Sequence, residues 1–288
     1  NKRDSHVVPT PSGGGIVFVF SAYFTLLQNN LNSISTFENV VFASTPIAFI
    51  GLIDDKFDIS RWVRYLFQIF TCIIIIYNSE NSYNLNIFES SFLNIAFENL
   101  FYIFLIIFFT AIINFINFMD GIDGLVTGVM AIVFTFLALT NFPFLWILIG
   151  SMIGFLFLNW HPSKIFMGDV GSTFIASLFV GLITISTDYV FSLKFMLIST
   201  PLLADAFLCV LKRLIFKQNI FTPHKEHLYQ RLNRAGWSHS KVSLLYILGS
   251  LIIAITAYFY ELKITFLTSS LEIVIGFVID RFFAVKFL

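Results

Sequence analysis

Apolar runs long enough to cross a bilayer recur ten times along this chain, at about residues 15–31, 37–53, 61–77, 99–116, 122–140, 143–160, 172–187, 194–211, 242–260 and 264–283. A spanning helix needs about 20 mostly apolar residues. In lipid the backbone must satisfy its own polar groups, which leaves helices or closed barrels. Barrel strands alternate apolar and polar residues, and these runs do not. The expected fold is therefore an all-α, polytopic transmembrane helix bundle with ten spans. Composition agrees, with 57% hydrophobic and 12% charged residues, against about 25% charged in a soluble domain. The 38 Phe read as lipid-facing bulk. Net charge is zero, so no basic balance points to nucleic acid, while the apolar composition makes membrane lipid an expected partner. Cys72 and Cys209 lie inside apolar runs without CxxC spacing and read as packing residues. No soluble domain fits between the runs, so 1–288 reads as a single integral membrane domain.

Alternating ten spans from the start sorts the charges. One side collects Lys2, Arg3, Lys56, Arg61, Arg64, Lys164, Lys212, Arg213, Lys217, Lys225, Arg231, Arg234, Lys241, Arg281 and Lys286, fifteen of the seventeen basic residues, leaving Lys194 and Lys263 opposite. The 78–98 connection holds Glu80, Glu89 and Glu98 without Lys or Arg. The positive-inside rule assigns the basic side to the cytoplasm.

Five polar clusters fall on that same side: His6–Gly15 (HVVPTPSGGG), Asp54–Arg64, Asn114–Gly124, Phe166–Ser172 and 223–231. Ionisable residues near lipid are costly and mark function, so their convergence predicts a site at the membrane surface. Asp54, Asp55 and Asp58 suit Mg²⁺, which takes one or two carboxylates plus substrate phosphate; a solvated acidic loop is the alternative. Asn114, Asn117, Asp120 and Asp123 are spaced by three. On a helix continuing past Phe118 they form one polar stripe facing a base, ribose or phosphate-bound metal, unless the helix frays into a turn there. Asp169 lies between Gly168 and Gly171, either as a metal-holding carboxylate or as a cap, with Ser172 able to cap the following helix. His224 and His227 share a helical face at three-residue spacing among Lys225, Tyr229, Gln230 and Arg231. Phosphate recognition suits them better than zinc, for which this loop has too few ligands; a basic surface helix on anionic lipid is the other reading. Asp205 stands inside an apolar run, where an acid costs about 2.5–3.5 kcal/mol at the bilayer centre, and Arg213 or a metal would serve it as partner.

In this order, HxxPTPxGGG, GLIDD, NFxNFMDGIDGL, FMGDxGS and HxxHxYQRL resemble the polyprenyl-phosphate N-acetylhexosamine-1-phosphate transferase family, from His6 to about Trp237. The resemblance implies that Asp169 is a Mg²⁺ ligand with Asn117 beside it, Mn²⁺ being the alternative ion. Asp54 and Asp55 become the acidic pair near the attacking lipid phosphate, catalytic together with Asp169. Asn114, Asn117, Asp120 and Asp123 match the nucleotide side, and His224, His227 and Arg231 the loop that binds the sugar nucleotide. The family typically carries a further helix before HxxPTP. A chain opening at Asn1 with a polar, basic stretch and no signal-peptide pattern is then expected to lack that first helix, the full protein having eleven spans.

The expected activity is transfer of N-acetylhexosamine 1-phosphate from a UDP-N-acetylhexosamine to undecaprenyl phosphate, releasing UMP. It is expected in a bacterial cytoplasmic (inner) membrane with the active site facing the cytoplasm, and a second copy of the chain is a further candidate partner. HKEH departs from the three-histidine run of the peptidoglycan enzymes and is similar to the branch that starts O-antigen or capsule chains. That branch often has Thr four residues after Asp205, then an Arg pair; here stand Cys209, Lys212 and Arg213. A secondary transporter using these carboxylates is the rival from another class, but such sites lie near the midplane, and these acids lie at the ends of spans. A CDP-alcohol phosphotransferase needs Ala-Arg where Asp120–Thr127 (DGIDGLVT) has none.

Overall fold

In the computed structural model, residues 10–27, 34–79, 91–186, 188–220, 222 and 224–287 are described. His6, Pro9, Lys2, Arg3, Glu80, Glu89 and Pro223 lie outside them. Among the described residues the structure is helical, without strands. Its helices are α1 (Ile16–Leu27), α2 (Ile34–Phe57), α3 (Arg61–Asn78), α4 (Ser91–Met119), α5 (Leu125–Thr140), α6 (Trp146–Asn159), α7 (Gly168–Ile185), α8 (Tyr189–Ile198), α9 (Thr200–Ile215), α10 (Leu228–Arg234), α11 (His239–Phe259) and α12 (Leu262–Phe283). A single 3₁₀ turn, Pro143–Leu145, leads into α6.

Each of the ten apolar runs holds helix, but length limits how many can cross a bilayer alone. Phe37–Phe57, Glu98–Met119, His239–Phe259 and Leu262–Phe283 are long and apolar enough, and α8 with α9 forms a fifth candidate bent by 74°. The helices Ile16–Leu27, Leu125–Thr140 and Gly168–Thr184 are apolar but shorter, as is Pro143–Asn159, while α3 carries Arg61, Arg64 and Gln68. Among the described residues the chain is thus a multi-pass bundle with four or five full-length candidates by length and composition, and ten spans are not confirmed.

The bend between α8 and α9 replaces the single run expected over 194–211. Pro201 in the first turn of α9 lacks an amide hydrogen and favours a helix start there. Freed carbonyls find local donors: Ser199 Oγ bonds Met196 O at 2.7 Å and Thr200 Oγ1 bonds Leu197 O at 2.6 Å. A broken helix is tolerated at membrane depth when its backbone groups are re-satisfied in this way.

Helix α7 sits at the centre, packed against α1, α2, α3, α4 and α8. Phe174, Ile175, Leu178, Phe179 and Val180 on it are fully buried. Close approach of α2 depends on Gly51, where a Cβ would lie 2.7 Å from the Asp169 carbonyl. Outer helices turn large apolar side chains outward, such as Phe20, Phe49, Phe157, Leu267 and Phe282, as a lipid-facing surface does.

Candidate active site

Four of the polar clusters meet at one end of the bundle. The chain from Pro11 to Gly15 lies alongside the segment before α7, with Phe166 N donating to Pro11 O, Gly14 N to Phe166 O and Gly15 N to Met167 O, each at 2.9 Å. This places Ser12 near the end of α2, and its hydroxyl donates to Asp55 Oδ1 at 3.4 Å.

The first turn of α7 then closes on the acidic pair of α2. Asp169 N donates to Asp55 Oδ1 at 2.8 Å, and Val170 N to Asp55 Oδ2 at 3.3 Å. Amides at a helix start have no intrahelical partner, so Asp55 satisfies them. Gly168 makes this possible, because its φ is +74° and a Cβ there would lie 2.3 Å from Asp55 Oδ2. Asp54 faces the other way and accepts from Ile59 N at 2.6 Å. Arg64, from the first turn of α3, links the groups: its Nη1 donates to Asp54 Oδ2 at 2.6 Å and to Asp169 Oδ2 at 2.8 Å. The side chains of Arg64 and Asp169 are each 26% exposed, so the centre remains open to ligand. The sequence marks Arg64 only as one basic residue of a cluster; its position ten residues after Asp54, across the turn between α2 and α3, is the one signal of its role.

Asn117 reaches the same centre from α4, accepting from Ser172 Oγ at 2.6 Å. Ser172 therefore lies inside α7, bonded also to Gly168 O at 3.1 Å, and does not cap it. The period-three stripe on α4 does not run its full expected length. α4 ends at Met119, and residues 120–124 form turns. Asp120 is partly buried beyond the helix end. Burial, then the charges of Asp169, Asp55 and Asp123, push its carboxyl up to about 8. Asp123 turns instead to two histidines, accepting from His161 Nδ1 at 2.6 Å and lying 3.2 Å from His239 Nδ1. Burial alone would raise the Asp123 carboxyl, but the His239, His161 and Ser163 hydrogen bonds bring it well below the usual carboxylate range. His161 and His239 stand 38 and 116 residues from Asp123 along the chain, and only the fold brings them to it.

Asn114 is buried one turn earlier and makes a reciprocal amide pair with Gln68 of α3. Its Nδ2 donates to Gln68 Oε1 at 2.6 Å and its Oδ1 accepts from Gln68 Nε2 at 3.2 Å. Its observed contacts are thus helix–helix contacts rather than part of the acidic centre.

The histidine segment precedes α10 instead of lying on it. His227 is the residue before the helix, and its ring stacks on His224 with centroids 5.0 Å apart. Tyr229 ties this segment to the centre, its hydroxyl donating to Phe118 O at 2.9 Å. Asp205, reaching from α9, accepts from Leu228 N at 2.7 Å, Tyr229 N at 3.1 Å and Tyr246 Oη at 2.7 Å. It therefore caps α10, whereas Arg213 bonds Asn219 O and Thr222. Arg231 is buried and directed at the C-terminal region, pairing with Asp280 and donating to Glu226 O and Val285 O.

Fold and site together define a helical, multi-pass membrane protein with carboxylates gathered at one end of the bundle. Residues 37–187 match the model of glycosyl transferase family 4, and the chain belongs to that family. It is similar to the probable undecaprenyl-phosphate N-acetylglucosaminyl 1-phosphate transferase of Bacillus subtilis (strain 168), at 29% identity over 86% of this chain and 73% of that protein. It is 30% identical to the decaprenyl-phosphate N-acetylglucosaminephosphotransferase of Mycobacterium leprae (strain TN), over 89% of this chain and 74% of the other. The phospho-N-acetylmuramoyl-pentapeptide-transferase of Clostridium novyi (strain NT) matches 88% of this chain at 27% identity, covering 83% of that relative. These relatives place the chain among the polyprenyl-phosphate sugar-1-phosphate transferases.

Proposed function

We propose that this protein transfers N-acetylhexosamine 1-phosphate from a UDP-sugar to undecaprenyl phosphate at the cytoplasmic membrane face, releasing UMP and starting an O-antigen or capsule-type polysaccharide. The observation that carries this reading is the junction of Asp54, Asp55, Arg64 and Asp169 around the first turn of α7. An oxygen of the lipid phosphate attacks the phosphorus bearing the sugar, and the bond from that phosphorus to UMP breaks. Such transfer depends mainly on positioning and charge neutralisation.

The donor set suits Mg²⁺, with Mn²⁺ as the alternative: carboxylates and an amide oxygen are hard ligands, and Asp120 is crowded by three other carboxylates. Asp169 and Asn117 would hold the ion, which when bound supplies positive charge to the phosphates. Arg64 holds Asp169 and Asp54 in place, and the amides of Asp169 and Val170 fix Asp55. Either Asp54 or Asp55 accepts the proton of a monoanionic acceptor. Asp120 and Asp123 serve the nucleotide side in this reading, with the segment of His224 and His227 tied to it through Tyr229 and Phe118 O.

The direct test is UMP release by detergent-purified protein given undecaprenyl phosphate, Mg²⁺ and a panel of UDP-N-acetyl sugars. Lipid- and metal-dependent release with one sugar is expected. Asp169→Asn should abolish it while the protein elutes as folded; retained turnover in that variant would overturn the assignment.

A further inference from the structure

We propose that Cys209, His224 and His227 form a binding site for a soft divalent transition-metal cation of the Zn²⁺ class, separate from the acidic centre. In the sequence the two histidines offered too few ligands for zinc. The fold adds a third from α9: the Cys209 sulfur and one ligand atom from each histidine lie within 4.8 Å of one another. Cys209 and His227 are each 3% exposed, and the two imidazole ring centroids lie 5.0 Å apart. Zinc binds thiolate at about 2.3 Å and imidazole at about 2.0–2.1 Å in tetrahedral geometry. Ligand atoms therefore need to close by roughly an ångström, and the stacked rings to rotate so that their in-plane lone pairs converge on the ion. Asp205, one turn before Cys209, lies 3.9 Å from His227 Nδ1 and holds the backbone that follows His227, so the segment is anchored beside the sulfur.

Donor chemistry selects the ion. A thiolate with two imidazoles favours Zn²⁺ and its Irving–Williams neighbours over Mg²⁺, which takes oxygen. As the sulfur binds, its hydrogen leaves to solvent as a proton, and no electron is transferred. Three protein ligands leave the fourth tetrahedral position for water. Occupancy links the histidine segment to α9 through bonds that do not exist in the free protein.

Co²⁺ titration of the purified full chain tests this without reference to turnover. One Co²⁺ per chain is expected to produce intense tetrahedral d–d absorption and a near-ultraviolet sulfur-to-cobalt charge-transfer band, both bleached by Zn²⁺ and unaffected by excess Mg²⁺. Cobalt held by the acidic centre has only oxygen ligands and gives no charge-transfer band. Cys209→Ser should lose the band while eluting as folded. His224→Gln, which spares the residue preceding α10, should lose the tetrahedral signature with the thiol still present. No charge-transfer band in the wild-type chain, or a band that persists in Cys209→Ser, overturns the proposal.

Discussion

At the scale of single residues, the site is dominated by negative charge that the protein only partly offsets. Arg64 serves Asp54 and Asp169, and backbone amides serve Asp55, but Asp120 is held in its protonated form to about pH 8 by burial and by neighbouring carboxylates. The sign follows directly: its folded pKa is raised, so ionising it costs stability, and that cost grows as pH rises from the ordinary carboxylate range through about 8. In the proposed function, a divalent cation bound beside Asp120 would relieve that cost. The melting temperature gained on adding Mg²⁺ should therefore be larger at pH 9 than at pH 6, and Asp120→Asn should flatten the difference; a pH-independent gain in the wild type would contradict this. Asp123 behaves in the opposite sense. Its stabilising contribution is complete above the ordinary carboxylate range and is lost only as strong acid titrates it through its depressed pKa. The residue types at the centre were legible in the sequence because acids and amides stand out against an apolar background. Arg64 was not, because its two partners are separated from one another by more than a hundred residues and only the packing of α7 against α2 and α3 brings them to one nitrogen.

At the scale of helices, the polar residues divide into those that build the centre and those that fix its supports. The Asn114–Gln68 pair is of the second kind. Truncating one buried amide strands the other, which costs about 1–3 kcal/mol, whereas replacing both with apolar groups is close to neutral. Asn114→Leu should lower the melting temperature, and Asn114→Leu with Gln68→Leu should recover most of the loss; an additive double variant would show that the pair is not coupled. Asp205 supports α10 similarly. Asp205→Ala removes an acceptor shared by two amides and a tyrosine hydroxyl, an effect of about 0.5–2 kcal/mol for a helix cap. It should appear as faster hydrogen exchange over residues 224–234, with α5 unchanged. Helix ends were the hardest feature to read in the sequence. A spacing of three continues through Asp123, and nothing in the period reveals that α4 stops at Met119. The break before α9 did leave a trace in Pro201, but an apolar run reads as continuous when hydropathy alone is weighed.

At the scale of the whole molecule, the apolar runs foretold the helices but not their reach. A run can be apolar because it faces lipid or because it is buried in protein, and α7, the most enclosed, shows that hydropathy cannot separate the two. Orientation is open to a direct test. In a background with Cys72 and Cys209 replaced by Ser, Lys217→Cys should react with a membrane-impermeant maleimide only in inside-out vesicles, and Lys263→Cys only in intact spheroplasts. Labelling of both from one side would refute the charge-based topology.

The bend at Ser199 gives α9 a mechanical meaning. One helix carries Asp205 beyond the break, and Asp205 grips the first turn of α10 through two backbone amides. Asp205 thus works as a bracket, carrying the geometry of the bend from α9 to α10. The direction α9 takes after the break therefore also fixes where the histidine segment and the start of α10 are held.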